Sequence, residues 1–287
     1  MGAFKMKGLL ANGEVFGGRM ESGLMGSGLV RNKPSQNVFE SIEYLSKDSY
    51  LNNPILYLKG DGLDNSTTII DSSETPYTIN RNNALIKIAQ SKYGGSSIYF
   101  NNNNLIQSNS HYLLINSYSI LKPIYNGNHK FTIDLWVYIS LNNSGLATPI
   151  VLFNSSWAVY PDIRLQFDSN RTVYFRFTGD GSSIELLSIN SLSLYSWNLI
   201  SITFDLDKYR LFINGNLEAE AEKLNSYLNT DSPSPMVIGA AGAGSNGLLV
   251  SYPRYGFTGY LDSFRIVIDS CLQTANFNPE TDTYLNY

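Results

Sequence analysis

Apolar residues recur at every second position through long stretches of this chain, the period of a strand whose two faces meet different surroundings. In Phe131-Thr-Ile-Asp-Leu-Trp-Val-Tyr-Ile139, the residues Phe131, Ile133, Leu135, Val137 and Ile139 share one face, and Thr132, Asp134, Trp136 and Tyr138 share the other. One side is therefore expected to be core and the other to face outward. Related runs at 55–59, 97–100, 199–204 after Trp197, 210–213, 237–239 and 257–268 also read as strands. The segments 163–167 and 172–177 read as a hairpin with Ile163, Leu165, Phe167, Val173, Phe175 and Phe177 inward. Arg164, Gln166, Tyr174 and Arg176 then line its opposite face. Asn214-Gly215, between 210–213 and 216–217, is a strong signal for a two-residue hairpin turn.

Many short strands without a fixed repeat predict an all-β, two-sheet antiparallel jelly-roll sandwich over residues 51–287. Helical spacing of Val38, Phe39, Ile42 and Leu45 makes 34–50 the one helix or linker candidate. The first thirty residues differ in kind, holding eight of the 23 glycines and four of the five methionines. Glycine makes such a segment costly to order alone, while Phe4, Met6, Leu9, Leu10, Phe16, Leu24, Met25 and Leu29 offer apolar anchors for another surface. Residues 1–50 are accordingly read as an extended arm and linker that docks on a neighbouring subunit or assembly.

Composition narrows the partners. With 43% hydrophobic residues in 287, the chain can bury a full core, and 20 Tyr and 14 Phe favour pleated sheet. A formal net charge of -4 gives no basic footprint for nucleic acid. The single cysteine, Cys271, excludes an intrachain disulfide. There is no run of about 18 apolar residues and no apolar leader at the N-terminus, so membrane insertion is not expected. Met1-Gly2 does not complete a myristoylation signal, because Met6 stands where Ser or Thr is required.

In order along the chain, the blocks Phe131-Thr-Ile-Asp-Leu-Trp-Val137, Trp197, Leu211-Phe-Ile-Asn-Gly-Asn-Leu217, Val237-Ile-Gly239 and Gly259-Tyr-Leu-Asp-Ser-Phe-Arg-Ile266 resemble the laminin-G-like, concanavalin A-like jelly rolls. That family often has Glu at the place of Asp134. Upstream, Leu56-Tyr-Leu-Lys-Gly-Asp-Gly62, Asp71-Ser-Ser73 and 89–100 look like the versions in bacteriophage structural and tail-associated proteins, and 273–279 is similar to their closing segment. The resemblance covers about residues 54–280 and leaves out the arm. It implies a non-enzymatic virion protein on the phage particle surface, tail-associated or capsid-decorating and homo-oligomeric, held to other virion proteins by its arm. Adhesion to a host-surface glycan is a further role it admits. The alternatives are a carbohydrate-binding adhesin module outside a virion, or a glycoside hydrolase.

Candidate chemistry is sparse. Glu218-Ala-Glu-Ala-Glu222 would set three carboxylates on one face if extended, similar to the acidic strand of glucanases, but it follows the Asn214-Gly215 hairpin and reads better as a solvated strand face. Gly242-Ala-Gly-Ser-Asn-Gly247 matches an isolated G-x-G-x-x-G without the helix that would hold phosphate, so a long loop is expected there. His111 and His129 lack metal-ligand spacing, and Cys271 lacks a nearby base. Asp61, Asp64, Asn65 and Asp71 carry the hard oxygens that calcium takes, but read as turn formers. No other cofactor is expected. For binding, Arg164, Gln166, Tyr174 and Arg176, with the aromatic stretch Tyr252-Pro-Arg254-Tyr255, supply planar donors and rings suited to sugars or a protein neighbour.

Overall fold

Asn214 and Gly215 both take positive φ, 50° and 80°, as a two-residue hairpin turn of the twist-matched type requires. The computed structural model describes residues 6–11, 14–18, 54–102, 110–140, 150–155, 162–178, 182–227, 231, 235–243 and 249–280, with backbone alone for 6–18 and 242–254. The chain divides into two units, Met1–Lys47 and Asp48–Tyr287.

The first unit contains β1 (Met6–Ala11) and β2 (Glu14–Gly18), an antiparallel pair running from Met6 opposite Gly18 to Ala11 opposite Glu14. The segment read as an extended arm thus carries a ladder of its own. Met6, Leu9, Leu10 and Phe16 fall in its strands, whereas Phe4, Leu24, Met25, Leu29 and the helix expected at 34–50 lie outside the described residues.

The second unit continues with β3 (Pro54–Leu58), β4 (Ile79–Asn82), β5 (Leu85–Lys87), β6 (Ser97–Phe100), β7 (Tyr112–Ile115), the single helical turn α1 (Lys122–Tyr125), β8 (Phe131–Ile139), β9 (Ile150–Ser155) and β10 (Asp162–Phe167). It closes with β11 (Thr172–Thr178), β12 (Ser183–Ser191), β13 (Trp197–Phe204), β14 (Lys208–Ile213), β15 (Asn216–Glu222), β16 (Met236–Ile238), β17 (Ala241–Ala243), β18 (Leu249–Arg254) and β19 (Gly259–Ile268). One sheet has seven strands in the order β12-β11-β10-β9-β16-β7-β4. The other has eight, β15-β14-β13-β8-β19-β6-β5, with β3 also on β19. All the ladders are antiparallel, and the two sheets form an open jelly-roll sandwich, as expected. β17 and β18 pair with each other where a long loop was expected.

The core lies between the sheets and is built from the inward alternating residues. Phe153 of β9 stacks on Phe264 of β19 at 5.5 Å between ring centres, and Phe177 of β11 meets Tyr209 of β14 at 6.0 Å. Ile163, Leu165, Phe167, Val173, Phe175 and Phe177 are all buried. In α1, Pro123 sits in the first turn, where its missing N–H costs nothing, and Ile124 and Tyr125 are buried.

The outer face of β8 differs from expectation. Thr132, Asp134 and Trp136 are as buried as the inward residues. The reason is the segment after β19, which crosses this face and is tied down by its backbone. Thr132 Oγ1 donates to Ser270 O at 3.1 Å, Thr203 Oγ1 donates to Gln273 O at 2.9 Å, and the Phe277 N–H donates to Gly215 O at 2.9 Å. Beneath it Arg265 forks onto Asp134 Oδ2 through Nε at 3.0 Å and Nη2 at 2.7 Å, while Ser201 donates to Asp134 Oδ1.

Candidate functional site

The polar face of the β10–β11 hairpin begins with its turn. Asp168 Oδ1 accepts the backbone N–H groups of Asn170 at 2.8 Å and Thr172 at 2.9 Å, so the carboxylate closes the loop and holds the register. That register sets Arg164 opposite Arg176 and Gln166 opposite Tyr174. The structure thus brings these four sequence-selected residues together, all half-buried, in two adjacent cross-strand pairs.

Two guanidinium groups directly opposite each other repel, and the face contains the carboxylates that offset them. Asp162, two residues before Arg164 and so on the same face, accepts from Arg164 Nη2 at 2.5 Å. Glu185 of β12, opposite Arg176, lies 3.7 Å from its Nε, and the same Nε donates to Thr178 Oγ1 at 3.1 Å. The Tyr174 hydroxyl bonds Glu185, and burial together with that bond pushes its pKa up to about 12. Asp162 is only 2% exposed, and burial raises its pKa in spite of Arg164 and Arg176. Among the described residues its Oδ1 has no hydrogen-bond partner, nor has Oε1 of Gln166. Asp162 and Glu185 were not picked out in the sequence. Asp162 had a readable signal, a carboxylate at i−2 from an outward arginine.

Further along the chain, the Val151 N–H donates to Tyr255 O at 2.8 Å, and Val151 is opposite Gln166, so the Tyr255 backbone is brought beside β9. The side chains of Tyr252 and Arg254 lie outside the described residues.

The Glu218, Glu220 and Glu222 set does not stay on one face. Leu211 is opposite Ala219 while Phe212 is opposite Leu217, which makes Glu218 the extra residue of a β-bulge. Its buried carboxylate accepts from Ile189 N at 3.0 Å, Asn190 N at 2.8 Å and Asn190 Nδ2 at 3.0 Å. Glu220 is held by Lys208 at 2.6 Å and Arg210 at 3.0 Å, and its pKa is lowered, chiefly by the hydrogen bond from Lys208. A general acid needs the opposite shift.

Two of the calcium candidates, Asp71 and Asp64, are held by backbone N–H groups. Asp71 accepts from the N–H groups of Tyr57, Ser73 and Tyr77 at 2.9, 3.0 and 2.8 Å, and Asp64 accepts from Asn65 Nδ2 at 2.9 Å and the Ile88 N–H at 3.3 Å. Among the described residues no group of three or more His, Cys, Asp or Glu could hold a metal ion. His129 pairs with Asp269 at 2.7 Å. Burial raises the Cys271 thiol pKa, the reverse of what activates a nucleophile. No helix among the described residues is long and apolar enough to cross a membrane.

Comparison with known proteins returns a family model described as the concanavalin A-like lectin/glucanases superfamily, matching residues 107–273. Among solved structures, the binding domain of Paraclostridial Mosquitocidal Protein 1 is 18% identical with a TM-score of 0.56, over 77% of this chain and 50% of that one. The botulinum neurotoxin serotype G binding domain is 18% identical with a TM-score of 0.52, over 77% and 49%. The serotype D binding domain is 14% identical with a TM-score of 0.53, over 78% and 50%. The chain spans about half the length of these structures, and at such identities the likeness is one of fold. No curated protein matches.

Proposed function

We propose that this chain, which belongs to the concanavalin A-like lectin/glucanase superfamily, is a non-catalytic carbohydrate- or receptor-binding module that uses the outer face of β10 and β11. The observation that carries the reading is the Asp162–Arg164–Arg176–Glu185 cluster with Tyr174 and Gln166 beside it. It brings together forked donors, the exposed Glu185 carboxylate, an amide and a phenol, the groups that hydrogen-bond vicinal sugar hydroxyls, while buried Asp162 holds Arg164. Because the two guanidinium groups are offset by two carboxylates, recognition here works through directed hydrogen bonds, and it should survive raised salt. The similar solved structures are binding domains, which supports a binding role over a catalytic one.

A virion setting is supported by the resemblance of the upstream blocks alone. In that setting residues 1–50 would tether the module to a particle, and deletion of 1–30 would abolish incorporation while leaving the β domain folded. The test of the main reading is a glycan array probed with the parent and with an Arg164→Ala/Tyr174→Ala/Arg176→Ala variant. Binding by the parent that the triple variant loses is the expected result. A parent that binds no glycan or receptor sugar removes the basis for the reading.

A further inference from the structure

The outer face of the eight-stranded sheet is covered unevenly. The segment after β19 lies over Thr132 and Thr203, and Phe277 packs against Trp136 and Leu199. The loop before β6 covers the next stretch, where the Lys92 and Tyr93 N–H groups donate to Asp262 Oδ2 at 2.8 and 3.1 Å. Trp136 is therefore only 3% exposed. One outward step further along the strands, Trp197 of β13, Tyr138 of β8, Tyr260 of β19 and Tyr99 of β6 all remain partly exposed.

These residues form one row across adjacent strands. Trp197 is opposite Tyr138, Tyr138 opposite Tyr260, and Tyr260 opposite Tyr99. Ring centres are 5.6, 5.8 and 4.9 Å apart in that order, and Tyr99 continues onto the His111 ring at 6.5 Å.

We propose that this row is a second binding surface, a platform for a single solvated chain of neutral linked sugars. The sugar reading follows from three features. Tyrosine and tryptophan rings pack on the C–H faces of pyranoses, and their phenol and indole groups pair with sugar hydroxyls. Their repeat follows the strand spacing of about 4.8 Å, close to the length of one pyranose unit, so successive sugars meet successive rings. Burial, and less strongly the Asp64 carboxylate, raise the Tyr260 pKa, while burial and then Arg81 lower that of His111. The Asp64 carboxylate beside the row weighs against an anionic chain.

The ring planes also choose the form of the ligand. Neighbouring planes are inclined by 62°, 81° and 39°. A flat crystalline surface cannot lie on all four rings, whereas a single twisting chain can. Cross-strand aromatic pairing also steadies a sheet, but that role does not depend on leaving the row uncovered.

The proposal shares with the β10–β11 reading the premise that the module binds carbohydrate, and places contact on the opposite sheet. Its test is affinity electrophoresis through gels containing hydroxyethylcellulose, soluble xylan or mixed-linkage β-glucan, followed by titration with cello- and xylohexaose. The proteins compared are the parent, Tyr260→Ala, Trp197→Ala, Tyr260→Phe and Arg164→Ala/Arg176→Ala, each first checked for a parent-like melting transition. The expected result is retardation of the parent, weakened by about tenfold on loss of either ring and retained in Tyr260→Phe and in the arginine variant. Microcrystalline cellulose should not retain the parent. Four results would overturn the proposal: no retardation in any gel, retardation unchanged without the rings, retardation lost only in the arginine variant, or self-association that Tyr260→Ala abolishes. The third of these would leave the β10–β11 reading standing.

Discussion

The Glu218 carboxylate leaves its own sheet to accept the backbone N–H of Asn190, on the edge strand of the other, at 2.8 Å. β12 and β15 are the terminal strands of their sheets, and the bulge that displaces Glu218 from its ladder lets one carboxylate cap the N–H groups of both Ile189 and Asn190. A bare edge strand invites pairing with another chain. Glu218→Ala is expected to cost about 1–3 kcal/mol, read as a shift of the urea midpoint, and to increase aggregation on storage. Glu218→Gln, which keeps an acceptor, should lose less.

Asp134 and Arg265 form an ion pair that is almost wholly shielded from solvent, with side-chain exposures of 1% and 3%. Removing one partner strands the other charge. Asp134→Ala should therefore destabilise by about 3–5 kcal/mol, whereas Asp134→Leu/Arg265→Met should recover most of that loss. Equilibrium unfolding of the two variants beside the parent distinguishes an uncompensated charge from lost packing.

Gly215 has φ of 80°, and a Cβ added there would lie 2.0 Å from Phe277 O. Gly215→Ala is thus strained in backbone and also collides with the segment crossing the sheet. The expected loss from the backbone alone is about 1–2 kcal/mol. Limited proteolysis should cut within 271–280 faster than in the parent, because the Phe277 N–H bond to Gly215 O is the contact displaced.

Burial pushes the Asp262 carboxyl up to about 6, against the lowering effect of the Tyr93 and Lys92 N–H groups. A folded-state pKa above the unfolded value means that its stabilising contribution is full below about pH 4 and is lost as pH rises through about 6. Asp262→Asn should flatten that part of the profile. Thermal melts at pH 4 to 8 should show the variant gaining on the parent as pH increases, with the gap constant above pH 7.

Strands whose two faces differ were readable in the chain. β8, β10, β11 and β13 alternate in sequence, and the inward sets of β10 and β11 are the core residues expected. β9, Ile150-Val-Leu-Phe-Asn-Ser155, has six buried residues in succession, so alternation carried no signal. β5 has only three residues. In β12 the exposed Leu187 and Ile189, at 59% and 81%, put apolar residues on the outer face and masked the period. The outer face of β8 was misjudged because its cover comes from residues about 140 positions later, a contact that no local pattern reveals. For the same reason the hairpin placed Arg164, Gln166, Tyr174 and Arg176 together, while Glu185 and the Trp197–Tyr99 row needed the register between strands distant in sequence.

Among the described residues, β19 is the sole strand joining β3, β5 and β6 to β8 within the eight-stranded sheet. During synthesis, the strands made first therefore wait for residues 259–268 before they can join it. At ribosomal speeds the wait from β3 to β19 is on the order of ten seconds or more, during which three strands expose unpaired edges. A nascent chain stalled before residue 259 carries most of the core residues but no route to the completed sheet, so truncated products should be found among insoluble material rather than as smaller folded modules.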